Sequence, residues 1–496
     1  MRKKEQTTDL TLTEPEQEIS DQYKFFQIDF LKAAMIFLVI FDHIVAWSVK
    51  SYIAVTLWER ISIPVFLVIL GFNASKSFQR KEPATLRELY SWDYFKNKIV
   101  RYIIPFLVLY VGSTMIGLFI YEFDFAAMYD GQFYPSHGIM NYFVGILPFW
   151  GPGNWFLPLL FQSILIMPLL YKAFKKSPIL ALILCFIIEI AIHLIVFFFI
   201  GDLYPGDVLS LKKLHILNMF RTSTLFYLSG IGLGMWFSFG YKLEHNRNFF
   251  MWIIYPISLG FIVAFQFYGF QIMIGDIPLL RGDYHFLIFP YSAFLFLLAM
   301  KFLPQKSEGR ISRAISLIGK SSYHILLIQI LGFGIVYAFE GTHYAITAGG
   351  AADDIIDLLV VWIFFISFGI LWYKIDRKKN LLRRILYYIN LFTVFPSILF
   401  FVLWIQDFWI PIPLIIILIY AIAALITNFI IKRPLKTRIF GLWTLFLLVT
   451  FVMLILQVEV FEQNEFWILL IPIGIFLAIA IIGSVIDYWP TKEIFS

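Results

Sequence analysis

Long apolar segments recur along almost the whole of this 496-residue chain. A transmembrane α-helix needs about twenty consecutive, mostly apolar residues, and one soluble core could not bury so many such segments. Hydrophobic residues make up 60% of the chain and charged residues only 15%. The sequence therefore predicts an all-α polytopic membrane protein, with the lipid bilayer as its first partner.

The apolar segments predict about ten spans before residue 376 and four after it. The first ten lie at about 25–47, 54–75, 99–121, 154–171, 178–200, 218–238, 250–270, 284–303, 321–339 and 355–373. The last four lie at about 385–405, 410–431, 440–458 and 466–488. Three regions follow: a disordered cytoplasmic tail (1–22), a transmembrane core (23–375) and an additional four-helix transmembrane region without an assigned role (376–496).

Lys and Arg concentrate in alternate loops. The loops at 122–142 and 340–354 contain neither residue, whereas 172–176 contains three Lys and 374–384 is rich in both Lys and Arg. Because basic loops stay in the cytoplasm, we predict a multi-pass cytoplasmic-membrane protein with both termini inside. This bias accounts for the formal charge of +6 without a nucleic-acid partner. The sequence indicates no oligomeric state.

The first predicted span carries ionisable residues at a regular spacing. Asp29, Lys32 and His43 share one stripe at about 100° per residue, and the stripe is about 21 Å long; Asp42 falls outside it. Ionisable groups inside a span usually face the protein interior and mark function. His43 is a candidate general base or a buried histidine bonded to a neighbouring helix.

Other polar residues leave more than one interpretation open. Lys98 and Arg101 bind donor phosphates or simply mark the cytoplasmic side. Glu189 and His193 follow Cys185 at intervals of four, which suits a polar stripe facing a cavity, a structural hydrogen bond or, least well, a metal; we predict no metal site. Arg221 contacts an acidic or glycan acceptor, or extends to the membrane surface.

Four ordered segments resemble the integral-membrane acyltransferase family 3, whose members O-acylate cell-envelope glycans. They are IDFLKAAMIFLVIFDH with Asp29 and His43, ISIPVFLVILGF, KNKIVRYIIPF with Lys98 and Arg101, and ISLIGKSSYHILLIQI. A weaker match surrounds Trp155. The sequence differs from the family pattern where Gln27, Lys98 and Leu70 replace Arg, Arg and Ser, and where Gln329 occupies the place of a common late His.

The resemblance implies an O-acyltransferase, most simply an O-acetyltransferase. Acyl-CoA (acetyl-CoA) would be a cytosolic co-substrate rather than a permanently bound cofactor, and the acceptor a hydroxyl of an extracytoplasmic glycan or lipid-linked molecule. His43 would deprotonate the acceptor. Lys98, Arg101 and Lys32 would bind CoA, while Asp29 would organise that site by pairing with Lys32 or with a basic group of the third span.

Trp155, Arg221, Glu189 and His193 are the candidate acceptor-binding residues. Three alternatives stay open. A multi-span transporter or flippase of an envelope precursor would also contain buried ionisable groups, although the inverted repeats typical of transporters are not evident in the sequence. A non-catalytic scaffold would leave the Asp29–His43 stripe unexplained. An N-acyltransferase would share the same machinery.

Overall fold

A computed structural model describes residues 25–45, 49–50, 53–81, 85–120, 152–200, 220, 222–274, 277–278, 284–306, 309–340, 351–378 and parts of 381–399. Helices account for most of this part of the chain. Among the described residues, six helices are long and apolar enough to cross a membrane, and two shorter apolar helices accompany them. The prediction of an all-α polytopic membrane protein is confirmed.

The helices follow the chain in a simple order, interrupted by one small hairpin. They are α1 (Phe26–Ile44), α2 (Val55–Trp58), α3 (Ser62–Lys81), α4 (Leu86–Leu89), α5 (Trp92–Lys98), α6 (Ile104–Ile120), α7 (Phe156–Lys176), α8 (Pro178–Ile200), α9 (Leu228–Phe237), α10 (Met251–Tyr268), α11 (Phe289–Phe302), α12 (Arg310–Glu340) and α13 (Ala351–Asp376). Strands β1 (Met273–Ile274) and β2 (Ile277–Pro278) pair antiparallel. Short 3₁₀ turns cover Thr224–Tyr227 and Asn246–Asn248.

Each of the ten predicted core spans contains a helix, but two spans differ in form. The second divides into α2 and α3, separated by a turn at 59–61. The ninth begins at Arg310, eleven residues before the predicted start at 321, because helix α12 continues through a charged segment that a hydropathy criterion excludes. The predicted tail (1–22) and residues 400–496 of the predicted C-terminal region (376–496) lie outside the described residues, so the domain boundaries stay a prediction.

Helices α1, α3, α9 and α12 contribute much of the buried core. The most extensive interfaces join α3 to α9, α1 to α12 and α12 to α13. Helices α3 and α9 approach until their backbones touch: a methyl group on Gly71 would overlap the Ile231 carbonyl, and one on Gly234 would overlap the Val68 carbonyl. Small residues permit such close crossings in membranes.

The third span contains a π-helical turn, Ile99–Ile103, between α5 and α6. Pro105 follows it, and a proline cannot donate the usual backbone hydrogen bond and crowds the carbonyl four residues earlier. The wider turn accommodates this proline. It also presents Arg101 and Tyr102, which both belong to the basic site described below.

Candidate active site

Asp29 joins helix α1 to helix α12. Its Oδ2 accepts a hydrogen bond of 2.6 Å from Ser316 Oγ and lies 3.6 Å from Lys320 Nζ. A methyl group on Gly319 would overlap the Asp29 carbonyl, so the two helices touch at this level. The sequence predicted a basic partner from α1 or the third span, and the structure adds Lys320 from α12 as an ion-pair partner.

A basic cluster surrounds Tyr102 at this end of the molecule. The Nζ of Lys98 and the guanidinium carbon of Arg101 lie 5.6 and 5.3 Å from the centre of its ring. Lys32 lies within electrostatic range of Arg101, Asp29 and Lys320. The structure therefore brings the three predicted donor-binding cations, Lys32, Lys98 and Arg101, into one cluster.

Helix α12 fixes the position of this cluster. The Tyr323 hydroxyl donates a 2.8 Å hydrogen bond to the Tyr102 carbonyl, and the two rings meet edge to face at 5.3 Å. Lys320 is 46% exposed. Because α12 contacts both Asp29 and the π-helical turn, one helix aligns the first and third spans.

His43 lies at the opposite end of α1, where three elements meet. Its ring is 5.9 Å from that of Phe333 on α12, and its Nε2 lies 3.9 Å from the position that a Cβ on Gly153 would occupy. Gly153 has a φ of +92°, which only glycine adopts easily, so this turn can approach the imidazole closely. The side chain retains 19% exposure.

Asp42 lies close to His43, although the helical stripe did not include it. Its Oδ2 is 3.9 Å from His43 Nδ1, and its Oδ1 accepts a 2.7 Å hydrogen bond from Lys50 Nζ. Arg60 adds a further positive charge within electrostatic range of both Asp42 and His43. The carboxylate can stabilise an imidazolium electrostatically without a direct hydrogen bond.

Trp155 follows the Gly153 turn and belongs to an aromatic group. Its ring centre lies 5.5 Å from Tyr227 and 5.9 Å from Tyr284. Tyr227 contacts Phe226, which lies 3.9 Å from His193. The aromatic group therefore connects the turn beside His43 with two predicted acceptor-binding residues, Trp155 and His193.

Glu189 forms the structural hydrogen bond that was one of its three interpretations. Its Oε2 accepts a 2.7 Å bond from the Ser229 backbone N–H at the start of α9, where helical N–H groups lack partners within the helix. His193 and His285 lie nearby with ring centres 6.3 Å apart. Within the described residues, no group of three possible metal ligands is found. Arg221 lies outside the described residues.

A third polar group, His324 with Asp376, was not anticipated from the sequence. His324 Nε2 lies 2.7 Å from Asp376 Oδ2, and Tyr388 hydrogen-bonds the other carboxylate oxygen. The three residues come from separate segments, so no spacing reveals them. The only signal is that a histidine and a carboxylate each occur beside an apolar run.

A family model describing an acyltransferase domain, that of the acyltransferase 3 family, matches residues 25–372. The chain belongs to the acyltransferase 3 family. No curated protein and no solved structure gives a significant match. The family assignment confirms the predicted resemblance and places the chain among membrane acyltransferases.

Proposed function

We propose that this acyltransferase moves an acetyl or similar acyl group from cytosolic acyl-CoA to a hydroxyl on a glycan or lipid-linked acceptor outside the cytoplasm. The observation that supports this most strongly is the separation of two sites along α1. A basic cluster with Lys32 lies at one end, and a partly exposed imidazole, His43, lies at the other.

The two sites suit the two parts of an acyl-CoA molecule. The cations of Lys32, Lys98 and Arg101 would bind its phosphates, and the pantetheine arm would extend along α1 towards His43, which lies about 21 Å from Asp29 at 1.5 Å per residue. The basic end is the predicted cytoplasmic end, which agrees with a cytosolic donor.

His43 would act as the general base. A neutral imidazole accepts the proton of the acceptor hydroxyl, the resulting oxygen attacks the thioester carbonyl carbon, and the carbon–sulfur bond breaks to release CoA as a thiol. Asp42, 3.9 Å from Nδ1, would stabilise the imidazolium. Asp29 would hold Lys320 and the cytoplasmic end of α1 in place and so organise the donor site.

The acceptor would meet this base through the aromatic group of Trp155, Tyr227 and Tyr284. Aromatic rings bind the apolar faces of sugars, and their polar edges provide hydrogen bonds. His193 extends this surface through Phe226, whereas Glu189 and Arg221 stay predicted contacts, Arg221 for an acidic group. An N-acyltransferase would use the same donor site, so the acceptor assay must include amines.

The direct test follows CoA release by the purified protein in nanodiscs. Acetyl-CoA is supplied with extracts of envelope glycans, with defined alcohols or with amines, and the free thiol is measured. Release that depends on a hydroxyl acceptor supports the proposal. Release that depends only on amines would indicate N-acylation instead of O-acylation. If the folded protein does not bind acetyl-CoA, the proposal is contradicted.

Arg101→Ala should weaken acyl-CoA binding by about 10- to 100-fold, as expected for the loss of one charge-assisted hydrogen bond to phosphate. Titration of the purified protein measures this directly. Lys96→Ala is the matched control, because Lys96 is an exposed cation of the same segment. Equal affinity in both variants would show that Arg101 only marks membrane orientation.

A further inference from the structure

Two buried amide side chains stand out near His43. Asn154 is 1% exposed and Gln329 is 0% exposed. Among the buried side-chain amides of the described residues, only these two lack a hydrogen-bond partner for both the nitrogen and the oxygen. Buried polar groups are almost always paired, so each of these amides requires an explanation.

Both amides belong to the elements that enclose His43. Asn154 directly follows Gly153, whose Cβ position lies 3.9 Å from His43 Nε2 and 3.5 Å from Leu326. Gln329 comes three residues after Leu326 and four before Phe333, whose ring is 5.9 Å from the imidazole. Residues at these spacings share one helix face, so Gln329 belongs to the surface of α12 that meets the histidine and the Gly153 turn.

Two backbone donors that follow this turn are already used. The N–H groups of Phe156 and Leu157 donate to the carbonyls of Gly153 and Asn154 at 3.1 Å. The Asn154 and Gln329 amides, which have no such partners, are donors that this turn and α12 can offer to a bound molecule. Asn and Gln side chains serve as oxyanion donors in acyl transfer, where charge develops on a carbonyl oxygen.

We propose that Asn154 and Gln329 form the oxyanion site of this enzyme, donating hydrogen bonds to the thioester oxygen of the acyl donor. This inference rests on the proposed function. The acceptor oxygen, freed of its proton by His43, adds to the thioester carbon, and the former carbonyl oxygen takes the negative charge. The two amides hold that oxygen until the carbonyl reforms and the sulfur departs with the electron pair of the broken bond, to be protonated as CoA.

Isosteric variants test this role with little change in packing. Asn154→Leu and Gln329→Leu remove both polar atoms, and Asn154→Asp and Gln329→Glu replace each donor by an acceptor at a pH where the introduced carboxyl is ionised. We expect kcat to fall about 10²- to 10³-fold for each lost donor, while KM for acetyl-CoA and for the acceptor is unchanged. Gln329→His retains one N–H donor and should recover part of kcat.

Gln162→Leu provides the control. Gln162 is a structural amide, which donates to the Thr222 carbonyl at 3.1 Å and accepts from the Thr224 backbone N–H at 3.2 Å. Its loss should lower thermal stability and leave kcat per folded molecule unchanged. Comparing the variants separates catalysis from folding.

Two results would overturn the oxyanion site. The first is a normal kcat in the Asp, Glu and Leu variants; the second is a raised acceptor KM with normal kcat, which would make the amides acceptor-binding groups. In either case wild-type CoA release still supports the proposed function. Conversely, if the folded wild-type protein releases no CoA in a hydroxyl-dependent manner, the proposed function itself is contradicted.

Discussion

His43→Ala should lower the rate of acyl transfer by about 10²- to 10⁴-fold, the usual contribution of a general base. Acetyl-CoA binding should persist, because the basic cluster around Tyr102 lies at the other end of α1. Rapid-mix measurement of CoA release, together with a separate binding titration, distinguishes the two effects.

His43→Gln supplies the matched comparison, since it retains volume and hydrogen bonding but cannot act as an efficient base. Both variants should be slow and both should bind donor. If either transfers acetyl groups at the wild-type rate, His43 is not the base. If both lose donor binding while remaining folded, the imidazole belongs to the donor site rather than to the chemistry.

Gly234→Ala should destabilise the folded protein by about 3 kcal/mol, at the upper end of the usual cost of overpacking. The added methyl group would overlap the Val68 carbonyl, and a backbone atom cannot turn aside as the end of a side chain can. Gly71→Ala should behave alike, because its methyl group would overlap the Ile231 carbonyl. Thermal unfolding in detergent measures both effects.

Gly260→Ala, in helix α10, is the control for the Gly234→Ala and Gly71→Ala substitutions. No atom lies within 4 Å of its Cβ position, and alanine favours a helix over glycine by up to about 1 kcal/mol. This variant should be as stable as the wild type or slightly more stable. A Gly234→Ala protein that unfolds at the wild-type temperature would show that α3 and α9 are separated in the membrane.

Hydropathy was sufficient to predict the ten helices of the core, because burial in lipid requires a long apolar segment and a helical backbone. It was not sufficient to predict their contacts. The break between α2 and α3 and the early start of α12 depend on packing and on charged turns beyond the apolar segment. The reciprocal contacts of Gly71 and Gly234 require two helices far apart in sequence.

The candidate site also has some features that the sequence predicts and others that it does not. The stripe of Asp29, Lys32 and His43 follows from helical spacing alone, and the structure places it between α1 and its neighbours. The partners of those residues do not follow from the sequence. Ser316 and Lys320 contact Asp29 from about 290 positions away in the sequence, and the Gly153 turn approaches His43 through a loop conformation that no periodicity encodes.

Phe392 and Phe395 limit where this chain can be truncated to give a minimal enzyme. A Cβ on Gly112 of α6 would collide with the Phe392 ring, and one on Gly332 of α12 would lie 3.1 Å from that of Phe395; Phe395 is 0% exposed. Gly332 also accommodates the ring of Phe365, but both glycines contact a ring beyond residue 372, where the family match ends. A fragment trimmed at that sequence boundary would lose both contacts, so a minimal enzyme must retain Phe392 and Phe395.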